Sequence, residues 1–258
     1  MEFRLMTFNL RYENDVDGQF SWKNRRDLAV ELILDQAPAI ICTQEGLEPM
    51  LRFIGDRLGG YSMIGSGRNV DGTGEFSAIL VDDSRFSILD SGQFWISETP
   101  DVPGSLGWGA GLPRICTWCV VKARGGEELG VFNVHLDHRS VEARVRGVDL
   151  LLERMAECRV PRVLCGDFNA RPNSAEIRHV SREVEGTIRL VNCYDETSAA
   201  SPLPAGTFHG FSDRVRPGAI DYIFHTADIR LNSLSVDARK RDGIWPSDHY
   251  PLIADLSV

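Results

Sequence analysis

Two short polar clusters stand beside apolar runs in this sequence: Gly166-Asp167-Phe168-Asn169-Ala170, and Ser247-Asp248-His249-Tyr250-Pro251. Each sets a carboxylate next to a second polar group at a place where a strand would deliver both to a cleft. Four more residues follow the same grammar: Asn9 after Met6-Thr7-Phe8, Glu45 after Ile40 to Gln44, His135 after Val131 to Val134, and Asp221 after Ala219-Ile220. A hard divalent cation such as Mg2+ takes oxygen ligands from carboxylates and amides, with water and substrate phosphate completing its shell. Glu45 and Asn9 suit that task. Cleaving a phosphoester also needs a positioned water, a donor for the charge growing on the phosphoryl oxygens, and stabilisation of the leaving oxygen. Asp167 with Asn169, and Asp248 with His249, supply those groups. The pattern therefore points to metal-assisted hydrolysis.

The elements that must position these residues are legible from periodicity and turn residues. Strands are expected over Glu2 to Leu10, Ala39 to Thr43, Tyr61 to Ser66, Ser77 to Val81, Phe86 to Trp95, Arg114 to Ala123 and Leu129 to Leu136, the last two joined as a hairpin by Gly125-Gly126. Further strands are expected over Arg162 to Cys165, Ile188 to Leu190, Ile220 to His225, Arg230 to Ala238 and Leu252 to Leu256. Helices are expected over Trp22 to Gln36, Pro49 to Leu58, Val141 to Glu157 and Ser174 to Arg182. In the first of these, Leu28, Val30, Leu32 and Ile33 alternate with Arg25, Arg26 and Glu31. Ser174 is the expected cap of the last, with Asn173 as the alternative. Strands joined partly by hairpins and partly by helices favour an α/β fold of two stacked mixed sheets with helices outside. The stretches Ser97 to Pro113 and Asn192 to Gly218 lack regular pattern, and loops of that length are functional or mobile in compact folds. Neither resembles an interdomain linker, so residues 1–258 are expected to form a single domain.

The chain has 258 residues, 43% of them hydrophobic, enough for a substantial core, and carries a formal charge of -9. That charge argues against stable binding of duplex DNA, which rests on Lys and Arg neutralising phosphates. Cys116-Thr-Trp-Cys119 has C-x-x-C spacing, but it lies in an expected strand, where positions three apart point to opposite faces. A core strand is the expectation there, not a zinc or redox centre. No run of about eighteen apolar residues is present and the first residues read as a strand, so no transmembrane segment and a cytoplasmic location are expected.

The ordered set Asn9 in Thr-Phe-Asn-Leu-Arg, Glu45 in Gln-Glu, His135 in Asn-Val-His-Leu-Asp-His, Asp167 and Asn169 in Gly-Asp-Phe-Asn, Asp221 in Ile-Asp-Tyr-Ile, and Asp248-His249 in Ser-Asp-His resembles the endonuclease/exonuclease/phosphatase superfamily over essentially the whole chain. The resemblance implies a four-layer α/β/β/α sandwich with the site between the tops of the two sheets. It also implies that Glu45 binds Mg2+, with Mn2+ as an alternative, that Asn9 supports that metal site, and that Asp248 contributes to the metal environment. Asp167 would orient or deprotonate the attacking water and Asn169 would hold the phosphate. His135 would donate to a phosphoryl oxygen. His249, oriented by Asp221, would contact the scissile phosphate as base or as electrostatic stabiliser. Abasic-site endonucleases carry an acid two residues after the first Asn, and this chain has Arg11 there, which weakens a DNA-repair reading. The motifs fit better with deadenylase and phosphodiesterase-like branches and a bacterial-type subgroup that also carries Gly74-Glu75-Phe76, Pro113-Arg114 and Gly206-Thr207-Phe208-His209-Gly210.

On the substrate side, Arg114 opens a strand after a Gly-rich loop, where a guanidinium fork suits phosphate, and Arg25 and His209 are further candidates. Trp95, Trp108 and Phe208 are candidate stacking surfaces. The expected substrate is a phosphodiester in single-stranded nucleic acid or a small phosphorylated compound. Alternatives are a lipid or inositol phosphate head group and, without catalysis, a binding module of the same fold.

Overall fold

In the computed structural model of the protein, which describes residues 1–182, 189–197 and 203–258, the apolar runs become β1 (Glu2–Asn9), β2 (Ile40–Gln44), β3 (Tyr61–Ile64), β4 (Ile79–Asp82), β5 (Phe86–Trp95), β6 (Ile115–Ala123), β7 (Glu128–His135), β8 (Arg162–Asp167), β9 (Leu190–Asn192), β10 (Asp221–Thr226), β11 (Arg230–Val236) and β12 (Leu252–Ser257). The helices are α1 (Trp22–Gln36), α2 (Glu48–Leu58), α3 (Val141–Glu157) and α4 (Ala175–Val180). The strand expected at 188–190 begins outside the described residues, and its described part runs on as β9. Ser174 caps α4 by accepting a hydrogen bond from the Ile177 amide. Asn173 instead takes a left-handed backbone, φ 65°.

Two six-stranded mixed sheets result, ordered β11-β12-β1-β2-β4-β3 and β5-β6-β7-β8-β10-β9. Each contains one parallel pair, β1 with β2 and β7 with β8. A parallel pair needs a long crossover, and α1 and α3 are those crossovers. The functional consequence lies in the register. Parallel strands end side by side, so Asn9 pairs with Gln44 in one sheet and His135 pairs with Asp167 in the other. The antiparallel neighbour β10 begins at that same end, with Asp221 opposite Asp167.

Three apolar layers hold the sandwich together. Between the sheets, Leu5, Ile40, Cys42, Val131, Ile223 and Leu252 pack together. The outer face of the first sheet is covered by α1 and α2 through Leu32, Ile33 and Ile54, and that of the second by α3 and α4 through Leu151, Met155 and Ile177. This is the expected α/β/β/α sandwich. Cys116 and Cys119 are buried in different layers, as strand alternation requires, and all six cysteines are free thiols. Among the described residues no helix is long and apolar enough to cross a membrane.

Gly166 makes the close approach of β7 and β8 possible. Its φ is 137°, and a Cβ there would lie 1.9 Å from the Val134 carbonyl oxygen. Gly166→Ala is expected to cost about 3 kcal/mol in urea unfolding through overpacking. Gly126→Ala, in open space at φ 101°, is expected to cost about 1–2 kcal/mol through backbone strain alone. Equal unfolding midpoints for the two variants would contradict this account of the strand pair.

Candidate active site

The chain kinks sharply where the strands end. Arg11, Glu45 and Asn169 all have left-handed backbones, with φ of 50°, 59° and 48°. Each such residue costs roughly 1–3 kcal/mol, so the surrounding contacts must hold them. Asn9 is central to that. Its amide nitrogen donates to Glu45 Oε1 at 3.1 Å and to Asp167 Oδ2 at 3.0 Å, and its oxygen accepts from the Arg11 amide at 2.9 Å. The Tyr12 amide donates to the other Glu45 oxygen at 3.1 Å. On Asp167, Oδ1 accepts from the Asn169 amide at 2.8 Å. Asn169 in turn places its side-chain nitrogen 3.1 Å from His135 Nε2 and 3.1 Å from the Leu136 carbonyl.

From the other side, the segment leading into β12 delivers His249. Its Nδ1 lies 2.9 Å from Asp221 Oδ2, and its Nε2 faces Asp167 Oδ2 at 3.8 Å. Ser247 anchors this segment by donating to the Asn9 carbonyl at 2.6 Å. Asp248 is nearly buried, with Arg11 Nε 3.9 Å from its carboxylate. Asn9, Glu45, His135, Asp167, Asn169, Asp221, Asp248 and His249 are thus brought to one end of the two sheets. Glu45, His135, Asp167, Asn169, Asp248 and His249 line a cleft of about 920 Å³. A cavity of about 950 Å³ beside α4 shares only Gly218 with that cleft and holds none of these residues.

Burial governs the electrostatics. It pushes the Asp167 carboxyl up, and the neighbouring Asp221 charge pushes it further, to about 7, against the pull of His249. For His249, burial disfavours the imidazolium, but Asp221, Asp167 and Asp248 outweigh it and raise the pKa to about 10. His135 goes the other way: burial, with Arg114 and Arg68 nearby, holds it neutral. Asp248 is raised by burial.

Glu45, His135 and Asp167 each offer a ligand atom, the three lying within 4.8 Å of one another, and so do Asp167, Asp221 and His249. The second trio is already joined by the Asp221–His249 hydrogen bond. The first presents two carboxylates and a neutral imidazole to the cleft, a donor set that fits a divalent cation with open positions for water and phosphate. Asn9, expected at the metal, directs its N–H groups at both carboxylates and so orients them. Its own oxygen is taken by Arg11.

Arg114 lies on the cleft wall, where a substrate residue was expected. It is buried, lies 2.9 Å from His138 Nδ1 through one terminal nitrogen, and its Nε and Nη1 have no hydrogen-bond partner. Two other expectations are corrected. Arg25 is wholly buried beneath the cleft, where its guanidinium donates to the Leu10, Arg11, Phe20 and Pro246 carbonyls, because α1 turns this position inward onto the ends of β1 and the β12 approach. His209 is also buried, its ring stacked on Tyr250 at 4.4 Å and tilted against Trp245. Its backbone amide, donating to the Asp248 carbonyl at 2.9 Å, is what serves the site. Trp95 is buried and donates to the Arg68 carbonyl, whereas Phe208 does line the cleft.

The sequence reading left Arg68 and Glu75 out of the site. They form a doubly bonded pair, 2.8 and 2.7 Å, on the cleft wall beside Arg114 and His135. The available signal was the glycine flanking each, Gly67 and Gly74, in a turn that brings the pair together.

Comparison with known proteins fits this geometry. The endonuclease/exonuclease/phosphatase family model matches residues 6–249, and the chain belongs to that family. The protein is similar to an endonuclease/exonuclease/phosphatase from Bacteroides vulgatus (30% identity, TM-score 0.93, covering 100% of this chain and 99% of the other). It is also similar to a mannosyl-6-phosphatase from Bacteroides thetaiotaomicron (32% identity, TM-score 0.88, 99% and 100%). Nocturnin of Rattus norvegicus is 23% identical over 92% of this chain. The chain spans about 60% of the length of the curated relatives it matches.

In metal-free protein, Asp221→Asn is expected to lower the His249 pKa from about 10, read by NMR titration of the imidazole. Because the folded value lies above the ordinary 6.5, the stability this pair supplies is complete below about pH 6.5 and disappears as pH rises through about 10. An unchanged titration in the variant would overturn the role given to Asp221.

Proposed function

We propose that residues 1–258 act as one catalytic domain that hydrolyses a phosphoester, in a small phosphorylated compound or a short single strand of nucleic acid, with Mg2+ or Mn2+ held by Glu45 at the edge of Asp167. The observation that carries this reading is the Asp167 carboxylate, surrounded by Asn9, His135, Asn169 and His249 at the floor of an arginine-lined cleft. A divalent ion there supplies Lewis-acid polarisation of a phosphoryl oxygen.

The chain's own residues supply the rest. Asp167, which accepts from Asn9 and from the Asn169 amide and faces His249 Nε2 at 3.8 Å, is placed to orient the attacking water and take its proton. His249 is charged at neutral pH and hydrogen-bonded at Nδ1 to Asp221. With Nδ1 held by Asp221 and Nε2 facing the cleft floor, it is placed to act as donor and electrostatic stabiliser. Asn169, whose side-chain nitrogen faces His135 Nε2 and the Leu136 carbonyl, positions the neutral His135 toward the phosphoryl oxygens, and Arg114, buried in the wall beside them, adds positive charge. The net charge of -9 supports small or short substrates over long nucleic acid. The full-length likeness to a mannosyl-6-phosphatase favours a second reading, hydrolysis of a sugar phosphate monoester. Six free cysteines accord with a reducing, cytoplasmic setting.

The test is turnover of bis-p-nitrophenyl phosphate, p-nitrophenyl phosphate, mannose 6-phosphate and oligo(A), with Mg2+ or Mn2+ and with chelator. Asp167→Ala and His249→Ala are each expected to lose about 10²-fold or more with an unchanged circular dichroism spectrum. Glu45→Gln is expected to raise the metal concentration needed by about tenfold or more. Activity retained in Asp167→Ala, or indifference to chelator, would refute the mechanism, and the ratio of diester to monoester rates decides between the two readings.

A further inference from the structure

Six arginines line the cleft: Arg11, Arg68, Arg114, Arg139, Arg171 and Arg216. Their charges are not equivalent. Arg11 and Arg68 are each doubly bonded to a carboxylate, Asp17 and Glu75. Arg114 sits near Asp137 and Glu75 at 3.8 and 4.0 Å, close to His135. Arg139 has no carboxylate within ion-pair distance among the described residues either, but its Nε lies 3.3 Å from His138 Nε2. Arg171 and Arg216 differ from these. Both are exposed, and no carboxylate among the described residues lies within ion-pair distance of either.

Arg216 is fixed at one wall, and Arg171 stands beside it on a neighbouring loop. The Arg216 guanidinium stacks over the Phe208 ring at 4.9 Å, and that ring lies 4.9 Å from the His249 ring. The Arg216 amide donates to the Phe208 carbonyl at 3.0 Å, and Phe208 itself bridges to His249 through the backbone. Arg171 follows Asn169 by two residues on the loop leaving β8. At Gly218, φ 89°, a Cβ would lie 3.1 Å from Pro172 Cδ and 3.7 Å from Arg171 Cγ. The glycine thus lets the loops carrying Arg171 and Arg216 close on each other. The two cations stand on the β8, β10 and β12 side of His249, whereas Arg114 and Arg68 stand on the β4, β5 and β6 side.

Resting on the reading of this cleft as a phosphoester site, we infer that Arg171 and Arg216 form a second anion subsite, so that the substrate carries a further phosphate group beyond the one that reacts. The Arg216 cation, stacked on an aromatic ring, gives up little freedom on binding, and neither guanidinium has a carboxylate partner among the described residues to displace. Phe208 sets the reach between this subsite and His249. A monoester of an uncharged sugar would leave the two arginines unused, which a bisphosphate or a short oligonucleotide would not.

Calorimetric titration tests this with adenosine 5′-monophosphate against adenosine 5′-diphosphate and adenosine 3′,5′-bisphosphate, using wild type and the Arg171→Gln/Arg216→Gln double variant. At least one of the compounds with two phosphates is expected to bind wild type about tenfold more tightly than the monophosphate. In the double variant that preference is expected to fall to about twofold or less, while the thermal midpoint, set by buried residues, is unmoved. Equal affinity of wild type for all three compounds, or a preference that survives in the double variant, overturns the inference. The readout is binding, so a failure of hydrolysis on the substrate panel above and a failure of this subsite are separate results.

Discussion

One buried polar bridge sets the relation between the two sheets. Gln44 at the end of β2 donates to Asn133 Oδ1 across the interface at 2.6 Å, and Asn133 donates at 2.9 Å to both the Thr43 and Ala78 carbonyls. All of these groups are inaccessible to solvent, so every partner lost is a buried polar group left unsatisfied. Glu45 follows Gln44 directly, and His135 lies two residues beyond Asn133 on the same face of β7. A sandwich held only by apolar packing could slide at modest cost; this bridge fixes the offset that brings the Glu45 and His135 ligand atoms within 4.8 Å. The site is the upper continuation of that seam.

Above the seam the fold accepts an unfavourable concentration of like charge. Asp167, Asp221 and Asp248 are all almost fully buried around a single imidazole, and the upward shifts of Asp167 and Asp248 express the strain. Part of the relief comes from His249, which burial alone would leave neutral but which the acids keep charged. Arg11, paired with Asp17, adds a fixed positive charge beside Asp248. What remains is a cleft that attracts cations at its floor and anions at its walls, in a chain whose overall charge is negative.

Much of this was legible before any coordinates. Asn9, Glu45, His135, Asp167 and Asp221 stand at strand edges, and strand alternation with parallel register is enough to bring such residues to one end. Asp167 beside His135 follows directly from β7 pairing with β8. The failures share a cause. Arg25 lies on a helix and His209 in a loop, where the direction of a side chain is decided by tertiary contacts and not by the period of the element. A guanidinium looks identical in sequence whether it faces phosphate or four backbone carbonyls. Glu75 belongs to the Gly74-Glu75-Phe76 pattern noted above, yet its place in the site with Arg68 was not legible, for the opposite reason: the glycines around them read as an ordinary turn, and only the folded turn reveals that it presents a charged pair to the cleft.

The Arg25 knot has a kinetic consequence. Its guanidinium joins the Leu10 and Arg11 carbonyls to that of Pro246, more than two hundred residues away, and Ser247 closes a similar distance to the Asn9 carbonyl. Contacts of such separation form late, after local helices and hairpins are in place. A chain short of residue 247 lacks β12, the strand that joins β11 to β1, together with the imidazole and the anchor that shape the floor of the cleft. The floor of the cleft is therefore completed only when two segments more than two hundred residues apart have met.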